Sequence, residues 1–183
     1  WVQHLPPRQE ACEFTPRING DRAYEPVACG DMILVACEHN SALLALDIQT
    51  GEERWRFYAN APLRVAPVVA DRRIFLGGED GVLYCLDTAG KLQWQFRGGP
   101  SDRKLLGHER LISVWPVSLR PVARDGKVFF LAGYWPTEGV FIHGIDAATG
   151  SRLWTHDSSQ FRPAGGMSII DDLLHVGGLR GGI

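Results

Sequence analysis

A chain of 183 residues with 45% hydrophobic and 22% charged residues carries enough apolar mass for one packed domain. Its formal net charge of -2 excludes the basic excess that nucleic-acid binders present. The longest apolar run, Val128–Trp135, falls far short of the ~20 residues needed to cross a bilayer, which excludes a spanning helix.

The chain opens at Trp1 with no Met and no charged-then-apolar leader, so no targeting signal is visible. From there 21 Gly and 11 Pro cut it into short segments, and no long window free of them holds a helical apolar stripe. The expected class is all-β. Pro26-Val27-Ala28 leads to the apolar run Met32–Val35, and Ala45-Leu46-Asp47-Ile48-Gln49-Thr50-Gly51-Glu52-Glu53-Arg54-Trp55 follows. Pro67-Val68-Val69 leads to Ile74-Phe75-Leu76, then to a turn at Glu79-Asp80-Gly81 and the strand Val82–Leu86. Cys85-Leu86-Asp87-Thr88-Ala89-Gly90-Lys91-Leu92-Gln93-Trp94 repeats the earlier phrase one residue shorter.

A longer connection over 97–116 interrupts the pattern and concentrates Arg97, Arg103, Lys104 and Arg110, with Arg120 just beyond and Trp115-Pro116 at its end. Pro121-Val122-Ala123 resumes it, Asp125-Gly126 is a favoured hairpin turn, and Val128–Leu131 is apolar without alternation. Trp135-Pro136 and Glu138 precede the third phrase, Gly144-Ile145-Asp146-Ala147-Ala148-Thr149-Gly150-Ser151-Arg152-Leu153-Trp154. A fourth unit begins over 166–178, and no fourth phrase follows before Ile183.

Each unit predicts a four-stranded antiparallel meander. Asp and Thr satisfy backbone donors in the Asp-x-x-Thr-Gly turn, and Gly supplies the positive φ. The unalternating strands predict burial on both faces, as between stacked sheets. Four-stranded units that repeat are what a β-propeller requires. The expected division is blades over 24–61, 62–96 and 117–159, an inserted loop over 97–116, and an incomplete blade over 160–183. An unfinished blade leaves an open apolar edge, so the expectation is a piece of a longer chain or a ring completed by another subunit.

The thrice-used phrase resembles the tryptophan-docking motif of PQQ-like β-propellers, a superfamily that includes quinoprotein alcohol dehydrogenases and the BamB-type lipoproteins of outer-membrane assembly. The resemblance covers roughly residues 24 to 178. It implies that Trp55, Trp94 and Trp154 pack between adjacent blades, and that the protein works in the periplasm or outside the cell. It also brings PQQ with calcium into view as a cofactor. The dehydrogenases use a catalytic Asp, a calcium held by carboxylate and amide groups, and an adjacent Cys-Cys disulfide. Here Cys12, Cys29, Cys37 and Cys85 include no adjacent pair, and no Asp or Glu matches the catalytic position. The cysteines leave two readings, a Cys29–Cys37 link and buried free thiols, of which the second is favoured. His4, His39, His108, His143, His156 and His175 lack metal-ligand spacing.

The expected function is therefore a non-catalytic propeller that binds or scaffolds a protein within a larger bacterial extracytoplasmic protein. The alternative is a fragment of a PQQ-dependent alcohol or sugar dehydrogenase, and a third reading is a sensor domain fused to a signalling module. The candidate binding residues are Arg103, Arg110, Trp115 and Trp135. Arginine forks grip carboxylates and indole faces accept flat or cationic groups, so these would form a rim for a small acidic planar ligand or an acidic peptide. The competing reading is a packed flap over a blade edge.

Overall fold

Short apolar runs separated by tight turns can satisfy their backbone groups only by pairing with the next run. The computed structural model, which describes residues 25–38, 40–107, 110–160 and 162–179, shows this arrangement throughout. Strands β1 (Val27–Cys29), β2 (Met32–Cys37), β3 (Ala42–Asp47) and β4 (Glu53–Tyr58) form a four-stranded antiparallel meander. A second comprises β5 (Val68–Ala70), β6 (Arg73–Gly77), β7 (Val82–Asp87) and β8 (Leu92–Arg97). A two-stranded hairpin, β9 (Lys104–Gly107) and β10 (Arg110–Ser113), comes next. The third meander is β11 (Val122–Arg124), β12 (Lys127–Ala132), β13 (Phe141–Asp146) and β14 (Arg152–Asp157). The pair β15 (Arg162–Ile170) and β16 (Leu173–Leu179) ends the described chain. No α-helix occurs among the described residues, and none is long and apolar enough to cross a membrane.

The inner strands explain why the apolar runs do not alternate. β2, β3, β6, β7, β12 and β13 are buried almost throughout, and the second and third sheets are covered on both faces by their neighbours. Leu34, Leu43 and Ala45 of the first sheet pack with Ile74, Leu76 and Tyr84 of the second. Phe75, Leu83 and Cys85 on the second sheet's other face pack with Val128, Phe130 and Ile145 of the third. The third sheet's far face, through Leu131 and Ile142, receives Met167, Leu174 and Val176 of the last pair. The first strands adjoin in order, β1 to β5, β5 to β11 and β11 to β15. The sheets thus fan around a shared inner edge, which is the geometry of a β-propeller arc. Cys29, Cys37 and Cys85 are buried free thiols, and burial pushes the Cys85 thiol up to about 12. Cys12 lies outside the described residues.

The repeated turns do the work their composition predicts. Asp47 accepts the backbone N–H groups of Gln49 and Thr50, each at 2.8 Å, and Asp146 accepts those of Ala148 and Thr149 at 3.0 and 2.8 Å. The Thr50 N–H, then the Arg54 guanidinium, hold the Asp47 carboxyl down to about 2. Gly51, Gly90 and Gly150 take φ of 75°, 80° and 73°.

Gly90 and Gly150 also leave room for an indole. The Trp55 ring of the first sheet lies on Gly90, where a Cβ would stand 2.5 Å from it, and its N–H donates to the Thr88 carbonyl at 3.1 Å. Trp94 repeats the arrangement one sheet on, covering Gly150 and donating to the Ala147 carbonyl at 3.2 Å. The first and second sheets are therefore each bolted to the turn of the next. Trp154 packs on Gly144 and Phe129 of its own sheet and is 39% exposed.

The β5–β6 turn places Asp71 and Arg72 at φ of 48° and 58°, whereas the equivalent turn of the third sheet places Asp125 and Gly126 at 50° and 68°. A left-handed arginine is strained where glycine is not. Arg72→Gly should raise stability by about 1 kcal/mol, read as a higher urea midpoint at unchanged m-value.

Candidate functional site

In an antiparallel meander successive connections emerge at opposite ends. The Asp-x-x-Thr-Gly turns and the β1–β2, β5–β6 and β11–β12 turns occupy one end of the sheets. The other end gathers residues 38–41, 59–67, 78–81, 98–121 and 133–140, and there the chain departs from its repeat.

Residues 98–121 are not an unstructured loop. The runs Lys104–Gly107 and Arg110–Ser113 pair with Leu106 opposite Leu111 and Leu105 opposite Ile112. The hairpin is fastened on its β10 side, where the Ser113 N–H donates to the Glu79 carbonyl at 2.7 Å and Arg110 Nη1 to the Glu38 carbonyl at 3.3 Å. Its flanks are held by Gly98 N–H to Gly81 O at 2.9 Å and Val117 N–H to Gly78 O at 3.1 Å. At the opposite extreme, Leu106 is 75% and Leu111 67% exposed. They form an apolar cross-strand pair held out from the scaffold.

The four sequence-predicted binding residues fall in three settings. Trp115 is buried: Gly99 lies against its ring, and its N–H donates to the Glu138 carbonyl at 2.6 Å. Arg103 stands 5.4 Å from the Trp115 ring centre and ion-pairs with the Glu138 carboxylate, so the insertion and the short 3-10 turn Pro136–Glu138 meet. Arg110 reaches the other way, to the first sheet. Trp135 is 45% exposed, edge-on to Tyr134 at 5.0 Å, with the Arg162 guanidinium 4.6 Å from both rings. Arg103 and Trp115 come together at Glu138; Arg110 reaches the first sheet, and the Trp135 ring packs with Tyr134 and Arg162. His4, His39, His108 and Glu109 lie outside the described residues.

Beside the hairpin's foot sits a compact polar group that sequence reading passed over. Arg64 pairs with Glu38 at 3.0 Å and with Glu79 at 2.6 Å, joining the β2–β3 connection of one sheet to the β6–β7 turn of the next. Asp80, 7% exposed, accepts the Tyr84 hydroxyl and, at 3.2 Å, the Val82 N–H. Burial pushes the Asp80 carboxyl up, and Tyr84 rises with it, from burial and then from its bond to Asp80. These residues support a turn and a junction. Among the described residues no three of His, Cys, Asp and Glu gather as a metal would need.

His143 closes the junction between the second and third sheets. Its Nε2 lies 2.8 Å from the Gly98 carbonyl and its Nδ1 2.9 Å from Thr155 Oγ1, while the ring stacks on Phe130 at 4.9 Å. Burial, opposed by the Gly98 bond and helped by Arg152, lowers its pKa below the ordinary 6.5. The folded chain thus binds its proton less readily than the unfolded chain. This contribution to stability should be whole above pH 6.5 and shrink as pH falls below it. Denaturation midpoints compared across that window, with His143→Gln as reference, should show the loss in the native sequence and a flatter profile in the variant.

The family model described as outer membrane protein assembly factor BamB matches residues 9–114. Among solved structures, BamB from Moraxella catarrhalis is similar at 20% identity and a TM-score of 0.59, over 81% of this chain and 40% of that one. A europium-containing methanol dehydrogenase is similar at 18% identity and 0.57, over 73% of this chain and 24% of that one. The computationally designed Ika4 protein is similar at 17% identity and 0.61, over 84% and 82%. At these identities the likeness is one of fold. The chain spans less than half the length of the first two structures. No curated protein matches it.

Proposed function

The chain belongs to the PQQ-like propeller family whose model is described as outer membrane protein assembly factor BamB, and from that premise we propose that it is a non-catalytic propeller segment that holds another protein. The observation that carries this reading is the β9–β10 hairpin, an addition to the repeat that projects Leu106 and Leu111 from a rigid scaffold. Binding residues concentrate on such additions, because the stacked sheets position them without depending on their sequence. The insertion is basic, with Arg97, Arg103, Lys104 and Arg110 set against Asp102 and Glu109 in a chain of net charge -2, which favours an acidic partner surface. Work outside the cytoplasm, in the periplasm, goes with this reading.

A photo-crosslinking residue at position 106 of the full-length protein, activated in its native cells, should yield a discrete crosslinked protein. The same group at Gln49, at the opposite end of the sheets, should not. Equal yields from both positions would remove the assignment. The likeness to a methanol dehydrogenase supplies a second reading, a segment of a PQQ-dependent alcohol or sugar dehydrogenase. Reduction of a dye by the full-length protein after reconstitution with PQQ and calcium, with alcohols or sugars as substrate, would establish that reading instead.

A further inference from the structure

Resting on the proposal that the hairpin docks a protein, we infer how the partner is held: an extended segment adds as a third strand to the outer edge of β9. The hydrogen-bond phase of the hairpin fixes which groups are available. The Val114 N–H donates to the Arg103 carbonyl at 3.0 Å, so Arg103 and Val114 form a bonded pair of the ladder. By the period of two, Leu105 with Ile112 and Gly107 with Arg110 are bonded pairs as well. Lys104 with Ser113 and Leu106 with Leu111 are then the non-bonded pairs, whose N–H and C=O groups point away from the partner strand.

On the β10 side this outward set is used, since the Ser113 N–H is the group that donates to Glu79. On the β9 side it is not: among the described residues β9 pairs with β10 alone. Lys104 and Leu106 therefore present main-chain donors and acceptors outward from an exposed strand, the arrangement a chain segment completes by strand addition.

The side chains state what that segment should carry. Lys104 and Leu106 are two residues apart and share one face of β9, the face that also bears Leu111. An incoming strand meets a cation and then an apolar patch on that face. The fitting partner therefore places an acidic and an apolar side chain two residues apart.

The test uses the full-length protein and a short acetylated peptide alternating Thr with Val and Asp in turn, followed by amide hydrogen exchange. The expected result is saturable binding with new protection at the Lys104 and Leu106 amides. Binding should weaken roughly tenfold or more when the peptide is N-methylated at alternate residues, because bonds across the edge can no longer form. Leu106→Pro, which removes an outward donor, and Lys104→Glu should each weaken it similarly. A peptide with Lys in place of Asp should bind less well. Leu106→Ala serves as the variant that keeps the main chain intact.

Absence of saturable binding overturns the inference. So does protection of both amides before peptide is added, which would mean the edge is already covered by the chain's own residues, or binding indifferent to N-methylation. Preference for anionic lipid vesicles over the peptide overturns it too. If crosslinking from position 106 succeeds while N-methylation and Leu106→Pro have no effect, the hairpin docks a protein by side chains alone: strand addition fails and the docking function stands.

Discussion

Trp94→Ala should cost the chain about 3–5 kcal/mol of stability, and Trp154→Ala no more than about 1 kcal/mol. Both tryptophans occupy the same position of the repeat, so composition alone predicts equal losses. The difference lies in what each ring covers. Trp94 sits on Gly150 of the next sheet, donates to the Ala147 carbonyl and packs beside Phe75 with ring centres 5.8 Å apart. Its removal opens a void between two sheets and strands a carbonyl. Trp154 rests on its own sheet and is 39% exposed, so its truncation leaves no such void. Gly150→Val should reproduce the larger loss from the opposite partner, since it forces a branched side chain to φ of 73° and into the Trp94 ring. Urea unfolding of the three variants checks this. Equal losses at Trp94 and Trp154 would refute the inter-sheet role of the indole.

Arg64→Ala should be the most damaging change at the other end of the sheets, at about 2–4 kcal/mol. The side chains of Arg64 and Glu79 are 20% and 10% exposed, so the pair is largely removed from water. Deleting the guanidinium leaves the Glu79 carboxylate desolvated without its cation, which costs more than the ion pair itself contributes. Arg64→Lys should recover only part of the loss, because a compact ammonium cannot lie against Glu38 and Glu79 at once as the broad planar guanidinium does. Glu38→Gln should be mild, since Glu38 is 30% exposed. The order Arg64→Ala, Arg64→Lys, Glu38→Gln in unfolding free energy is the measurable outcome.

The fold was legible because its signals are local and repeated. Asp47, Thr50 and Gly51 define a turn by chemistry confined to a few residues, and the same chemistry returns at Asp87 and Asp146. The unalternating runs around Phe75 and Phe130 announced burial on two faces, and those rings lie between sheets. The candidate site was less legible because its contacts join distant residues. Nothing near Trp115 indicates that its N–H will find the Glu138 carbonyl, and that contact sets the ring in the interior. Arg64, Glu38 and Glu79 come from three different connections and share no motif.

The hairpin was missed for another reason. Its two strands have four residues each, too few to establish a period against the surrounding arginines. The signal that could have found it was the pairing of two short runs, Lys-Leu-Leu-Gly and Arg-Leu-Ile-Ser, around a brief polar break. Arg72 in a left-handed turn gave no warning at all, since the register of β5 with β6 imposes that conformation.

The indole bolts lie at one rim of the fan and the inserted hairpin rises from the other. Substitutions in the Leu106 region can therefore accumulate, or the whole hairpin be exchanged for a foreign one, without unseating any tryptophan from its glycine. Such a layout lets a single stack of sheets be re-aimed at new targets by rewriting one short stretch of chain.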